Sequence, residues 1–212
     1  MGGTDASTQS WVLDLEGLTE LELWRNLEQR VRKAVNRAER AGVTVRPATI
    51  DDKTRFLELH DENSARTGLS TKPTAYFDAI FGTFLKTGMA IGFVAVAPDG
   101  RIIAVHMFGV YKGAAIYWIV ASDEQSRELG ANDLVQWHAI KAFASMGLTH
   151  YESGEAFPGQ PEGKLRQISD FKRGFGGTLA PFYRSVLITR PRIAAALDLF
   201  RTFRRTGAGA DD

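Results

Sequence analysis

Lys172 and Arg173 sit between Phe171 and the glycines Gly174, Gly176 and Gly177, and no other stretch points as directly to chemistry. Lysine brings a compact charge with three donors, and arginine a flat fork matched to phosphate or carboxylate. Glycine lacks Cβ and tolerates positive φ, so the backbone here can turn sharply or come close to a ligand. A bend that presents both cations beside a strand can hold a polarised carbonyl or the anionic tail of a cofactor. The same run also reads as a surface helix end, closed by glycine, with its cations favoured by the helix dipole.

Glu152 and Glu155 are the candidate proton acceptors. Both fall at the end of a strand expected over Thr149–Ser153, and ligands often sit at strand ends in open α/β sheets. Strict alternation puts Glu152 and Gly154 on one face, with Tyr151, Ser153 and Glu155 on the other. Glu155, beside the Pro158-Gly159 loop, is the preferred base, although either glutamate also reads as a solvated rim acid. His106 falls mid-strand and His138 on a packed helix, so both read as satisfied histidines rather than catalysts. No pair of histidines has metal-ligand spacing, and no metal is expected.

Elements must position these groups. The chain has 212 residues, 44% hydrophobic and 24% charged, the composition of an ordinary globular protein with a full core. It has no cysteine, which excludes disulfides, a thiol nucleophile and thiolate-bound zinc. No apolar run reaches the roughly 20 residues of a membrane span, and Met1–Ser10 lacks the basic-then-apolar order of a secretion signal. The expected location is cytoplasmic, with peripheral contact at the inner membrane surface open through a basic helix starting at Pro191. Residues 1–10 read as a flexible lead-in, 11–206 as a single domain and 207–212 as a loose tail.

Thr19 and Glu22 form a capping box that opens a helix with Leu21, Trp24, Leu27, Val31, Val35 and Ala38 as its buried stripe, ending at Gly42. Arg25, Arg30, Arg32, Lys33, Arg37 and Arg40 crowd its later turns. That is either a solvated basic face or a platform for a phosphate-rich partner such as RNA. Helices are expected over Thr49–Thr67 and from Pro73 to Gly88. Strands follow over Met89–Ala97, Arg101–Tyr111 and Ala114–Ala121, joined by Pro98-Asp99-Gly100 and Lys112-Gly113 as an antiparallel meander. A helix over Asn132–Met146, a strand over Thr149–Ser153, a short helix around Lys164–Gly174 and a strand over Thr178–Thr189 complete the order. Strand–helix–strand around Asn132–Met146 implies a parallel pair. The fold class is therefore α/β, with a mixed central sheet that is antiparallel first and splayed where the parallel part begins. Splayed strands leave backbone amides open to an acyl carrier or substrate.

The chain resembles the FemABX-type peptidoglycan aminoacyltransferases. Arg32-Lys33-Ala34-Val35-Asn36-Arg37-Ala38-Glu39-Arg40-Ala41-Gly42-Val43-Thr44-Val45 is similar to the basic helix opening their second domain. Tyr117–Ser122 resembles their strand, Gly130–Ile140 the helix after it, and Phe171–Gly177 the segment closing the site. The likeness covers roughly residues 11–190 and implies a GNAT-like acyltransferase fold. It implies a catalytic Lys172, whose ammonium would stabilise an oxyanion, with Phe171 as its apolar wall. It departs from the family in two places. Members usually carry two such domains, so an N-terminal partner domain is a possible associate, and the usual Tyr-Asp-Phe-Gly-Gly strand end is Tyr151-Glu152-Ser153-Gly154-Glu155 here.

Coenzyme-A-binding GNAT proteins place a Gln/Arg-x-x-Gly-x-Gly/Ala loop before a helix to hold pyrophosphate. Here Arg127, Gly130 and Ala131 match while Asn132 departs, and Asn132 also suits a helix cap. These four, with Arg173, are the candidate cofactor-binding residues. No permanently bound cofactor is expected. The implied activity moves an aminoacyl group from charged tRNA to an amine of a cell-wall precursor. An acyl-CoA-dependent N-acetyltransferase of the BioF2-like group, and a non-catalytic RNA- or partner-binding remnant, are the alternatives.

Overall fold

Turn and cap residues set the element boundaries. The computed structural model describes residues 4–5, 7–67, 72–190 and 193. In chain order these form β1 (Thr4–Asp5), β2 (Thr8–Asp14), α1 (Glu20–Asn26), α2 (Gln29–Arg40), β3 (Thr44–Pro47), α3 (Lys53–Thr67) and α4 (Thr74–Ala79). There follow β4 (Ala90–Val96), β5 (Ile102–Tyr111), β6 (Ala114–Ser122), α5 (Glu124–Leu129), α6 (Ala131–Ser145), β7 (His150–Ala156), α7 (Lys164–Arg173), β8 (Thr178–Phe182) and β9 (Ser185–Val186). β1 and β9 pair with each other in a small unit of their own. The larger unit, Gln9–Ala180, carries the other elements apart from Thr8 of β2 and the last two residues of β8.

Its sheet has seven strands in the order β3-β4-β5-β6-β7-β2-β8. β3 to β6 form an antiparallel run. Lys112 and Gly113 both hold positive φ, 46° and 79°, so the β5–β6 turn has the handedness that matches strand twist. β6 and β7 are parallel, joined by a crossover through α6, and β7 then pairs antiparallel with β2. The expected mixed α/β sheet is present.

Helices cover both faces. Val31, Val35 and Ala38 of α2 and Val135, Ala139 and Phe143 of α6 pack with Phe93, Phe108 and Tyr151 on one side. Phe56, Leu59, Phe77, Ile80 and Phe81 pack with Val94, Val105 and Met107 on the other. β4 and β5 are therefore buried on both faces, which is why they read as continuous apolar runs.

Several boundaries differ from the sequence reading. The helix expected from Thr19 to Gly42 is two helices. The capping box at its start is present, but Leu27 and Glu28 are extended, with ψ of 138° and 151°. Leu21 of the expected stripe is exposed and Leu23 is buried in its stead, but Leu23, Leu27, Val31, Val35 and Ala38 keep helical spacing through the break, so periodicity could not reveal it. Glu28 instead gives its backbone N–H to the carbonyl of Gly174 at 2.8 Å. β2 begins inside the segment read as a lead-in. The loop read at Arg127 is the last turn of α5. The helix after Pro73 gives way to a π-turn at Ile80–Phe84. The strand expected over Thr178–Thr189 is divided between β8 and β9. The helix expected from Pro191 and the tail from Gly207 fall outside the described residues, except Ile193.

Candidate active site at the parting of two strands

β6 and β7 pair at Ala114–His150, Ala115–Tyr151 and Ile116–Glu152. Past that point β6 follows β5 to Ser122, while β7 follows β2 to Ala156. The strands therefore part after Ile116 and Glu152, opening a slot in the sheet.

Lys172, in the last turn of α7, reaches this slot. Its Nζ donates to the backbone carbonyl of Glu155 at 2.6 Å. A Cβ built on Gly154 would lie 3.3 Å from that Nζ and 3.3 Å from the carbonyl oxygen of Tyr117. The ammonium thus sits against the bare backbone of β7, facing a carbonyl of β6. Burial pulls its pKa down to about 8, against the attraction of Glu155 and then Glu152. The Ser169 hydroxyl accepts from Phe157 N–H at 3.2 Å and fastens α7 to the end of β7.

Strict alternation along β7 fails, and the failure matters. Ser10 opposes Glu155 while Val12 opposes Glu152, so β7 carries one extra residue. Gly154 absorbs it with φ of 78°. This is a β-bulge with glycine in the left-handed region. It resets the faces, so Tyr151, Ser153 and Ala156 are the buried positions. Glu152 and Glu155 are no longer on opposite faces, and both act on Lys172. Glu155 is exposed at the lip and Glu152 is partly buried.

Phe171 turns away from the slot. It packs partly buried against the core, edge-on to Phe175 at 5.1 Å. Arg173 does not join Lys172. It pairs with Glu28 at 2.9 Å and with Asp170 at 3.1 Å, fixing α7 to the start of α2. Gly176 and Gly177 hold φ of 87° and 88° and pass close to the backbone of Asn26 and Val12. Their missing Cβ atoms serve the protein's own packing.

Arginines of α2 are committed in the same way. Arg30 binds the Asp170 and Phe171 carbonyls at the end of α7. Arg32 binds the Arg25 and Leu27 carbonyls at the end of α1. Arg37 binds the Leu129 carbonyl at the end of α5, at 3.4 Å. Each guanidinium meets the negative end of a helix dipole. Much of the basic character of this helix is thereby structural.

The residues matched to a pyrophosphate loop form a helix junction. Arg127 is exposed in the last turn of α5. Gly130, with φ of 81°, ends α5 and caps α6, and a Cβ there would stand 2.7 Å from the Ala34 carbonyl oxygen. Ala131 is fully buried. Asn132 does not cap the helix. Its side chain turns inward, accepting from His106 Nε2 at 2.9 Å and donating to Ser126 Oγ at 3.2 Å. Asp133 follows it, its pKa pushed up to about 6 by burial and restrained by Arg30 and Arg37.

Cavities of about 600 Å³, lined by Ala48, Phe81 and Leu85, and about 470 Å³, lined by Trp24 and Trp137, lie away from Lys172. Neither includes a residue of β6, β7 or α7. His106 is fully buried and His138 packs edge-on to Phe93 at 5.2 Å, as expected of core histidines.

A family model described as an acetyltransferase (GNAT) domain matches residues 25–173. The chain belongs to the GNAT acetyltransferase domain family. Its relatives are of FemABX type. It is 40% identical over 76 residues to aminoacyltransferase FemB of Staphylococcus epidermidis, a stretch covering 34% of this chain and 18% of FemB. The crystal structure of FemX superposes with a TM-score of 0.74 at 16% identity, over 84% of this chain and 61% of that one. L-PGS from Bacillus licheniformis superposes at 0.62 and 16% identity, over 89% of this chain and 63% of that one. At those identities both likenesses concern the fold. The match spans 18% of FemB, and the chain spans 61% of FemX and 63% of L-PGS, under two thirds in each case.

In this GNAT domain the arrangement can do one thing well. A cation with depressed pKa, a bare glycine backbone and open strand edges can hold a carbonyl as it gains negative charge. Sequence reasoning missed the part played by Gly154, which fell just past the expected strand end, where a glycine is a recognised signal for a bulge.

Proposed function

We propose that this acyltransferase domain moves an aminoacyl group from charged tRNA to an amine of a cell-wall precursor. The observation that carries the reading is the Lys172 ammonium held where β6 and β7 part. The acceptor amine attacks the carbonyl carbon of the donor ester. Negative charge develops on the carbonyl oxygen, and Lys172 faces it. The carbonyl reforms as the ester C–O bond breaks, and the departing ribose oxygen takes a proton. Glu155, exposed at the lip, takes the proton the amine gives up and returns it to that departing oxygen. Loss of one oxyanion donor typically costs ~10²–10³ in turnover.

The tRNA donor is supported by the identity to FemB. Acyl-CoA is the second reading, favoured by one observation. The arginines of α2 that would draw RNA are spent on helix carbonyls. In that case the departing group is a thiolate, and the rest of the chemistry is unchanged.

The test is mass spectrometry of products after incubation with charged tRNA and, separately, acetyl-CoA, over a pool of amines. The expected result is a product from charged tRNA that weakens with salt and falls by ~10²–10³ in Lys172→Ala. A product from acetyl-CoA alone would transfer the reading to the second donor. No product from either would sink both.

A further inference from the structure

Beneath the slot lies a line of buried polar groups. Gln136 and His106 have no exposed surface and Tyr151 has 1%. Isolated buried amides and hydroxyls cost stability unless bonded, and here each finds a partner. The Tyr151 hydroxyl, from β7, donates to Gln136 Oε1. Gln136 Nε2, from α6, meets His106 Nδ1 of β5 at 3.3 Å. His106 Nε2 meets Asn132 Oδ1 at 2.9 Å. Asn132 Nδ2 donates to Ser126 Oγ at 3.2 Å, and that hydroxyl donates to the Asp123 carbonyl at 2.6 Å.

The line has one direction. Every donor points away from Tyr151 and toward Asp123, provided that His106 is neutral with its proton on Nε2. Burial depresses the His106 pKa to about 4, so it is neutral at physiological pH. No group in the line can reverse without leaving a neighbour unpaired.

Its two ends matter most. Tyr151 lies at the closed base of the slot, in the last stretch where β7 still pairs with β6. Asp123 lies just past the end of β6, where it caps α5. Tyr117, the first β6 residue beyond the pairing, stacks on His106 with ring centroids 5.4 Å apart. The line therefore runs under the stretch of β6 that has lost β7 as a partner. The main-chain carbonyl of Tyr117 is the one that faces the Lys172 slot.

We propose that Gln136 is a positioning residue, whose amide joins β7 to β5, with β6 stacked on the same line through Tyr117, and holds the slot that receives the Lys172 ammonium at its working width. This rests on the reading of Lys172 above. It goes further in placing the control of the slot on the crossover helix, away from any substrate. With Gln136 gone, Tyr151 and His106 lose a shared partner, the strands shift and water reaches Lys172.

The test reads Lys172 directly, in the full chain without donor or acceptor. Its pKa is measured by competitive acylation across pH, with labelled peptides quantified by mass spectrometry. Gln136→Leu should raise that pKa by one unit or more, and Tyr151→Phe by half a unit or more. Folding of each variant is checked by circular dichroism. If Gln136→Leu does not fold, Tyr151→Phe alone decides. Folded variants that lose stability but leave Lys172 titrating as in the wild type would show a merely structural role and overturn the proposal. Because no turnover is involved, failure of the proposed activity would leave this result readable.

Discussion

Lys172 Nζ donates to the main-chain carbonyl of Glu155 at 2.6 Å, beyond the last position at which β7 pairs with β6. A helix end is thereby tied to the open lip of the sheet by its cation. The carboxylates of Glu152 and Glu155 favour the charge, while burial opposes it and wins. An ammonium in that balance is held in place at some cost to stability.

That cost sets a first expectation. Because the folded-state pKa is about 8 against an ordinary 10.5, the unfolded chain binds more protons than the folded chain between those values. Wild-type stability should therefore climb as pH rises through that window. At pH 7 the lysine is charged in both states and its burial cost is fully present. Lys172→Met should then be more stable than wild type by about 1–2 kcal/mol, discounted for the water that still reaches the group. The gain should fade toward pH 10.5. Thermal unfolding of both proteins from pH 6 to pH 10.5 reads it, and a pH-independent difference would refute it.

Gly154→Ala should separate activity from stability. The new Cβ would stand 3.3 Å from Lys172 Nζ at a residue with φ of 78°. The left-handed conformation costs an L-residue about 1–2 kcal/mol. Filling the slot should lower kcat by about 10²-fold, the scale of losing a single oxyanion donor. Turnover and melting temperature measured on one preparation distinguish the two effects. Unchanged turnover would show that the slot is not where the carbonyl binds.

Gly177→Ala should do the reverse. With φ of 88° and its Cβ directed at the Val12 main chain, it should destabilise by on the order of 2–3 kcal/mol. Gly82→Ala is the control, since a Cβ there meets nothing within 4 Å. Chemical denaturation of both variants checks the contrast. Equal midpoints would contradict the close passage of β2 under the glycine run.

The fold was legible where local signals are strong. The meander announced itself through Pro98-Asp99-Gly100 and Lys112-Gly113, and the parallel pair through a helix of the right length between two strands. Lys172 stood out because a cation beside an aromatic ring and a glycine run is an unusual juxtaposition. Other features depend on distant partners. The Leu27–Glu28 break preserves the apolar period, and only the Gly174 carbonyl explains it. The fate of the arginines on α2 is set by helix ends from other parts of the chain, which no spacing within that helix encodes. Arg173 looked like a partner for Lys172 because the two are adjacent in sequence, yet it pairs with Glu28 and Asp170 while Lys172 reaches the slot. The bulge at Gly154 moved Glu155 relative to Glu152, a shift that strict alternation cannot anticipate.

The most direct test of Lys172 as the group that meets developing negative charge is the pH dependence of kcat with saturating donor and acceptor. The ammonium is lost above about pH 8, so kcat should fall along a limb centred near that value. Lys172→Arg, whose guanidinium stays charged, should be slower but should lack that falling limb. A wild-type kcat that instead rises through pH 8 to a plateau would mean the neutral amine is the working form, and would contradict the account.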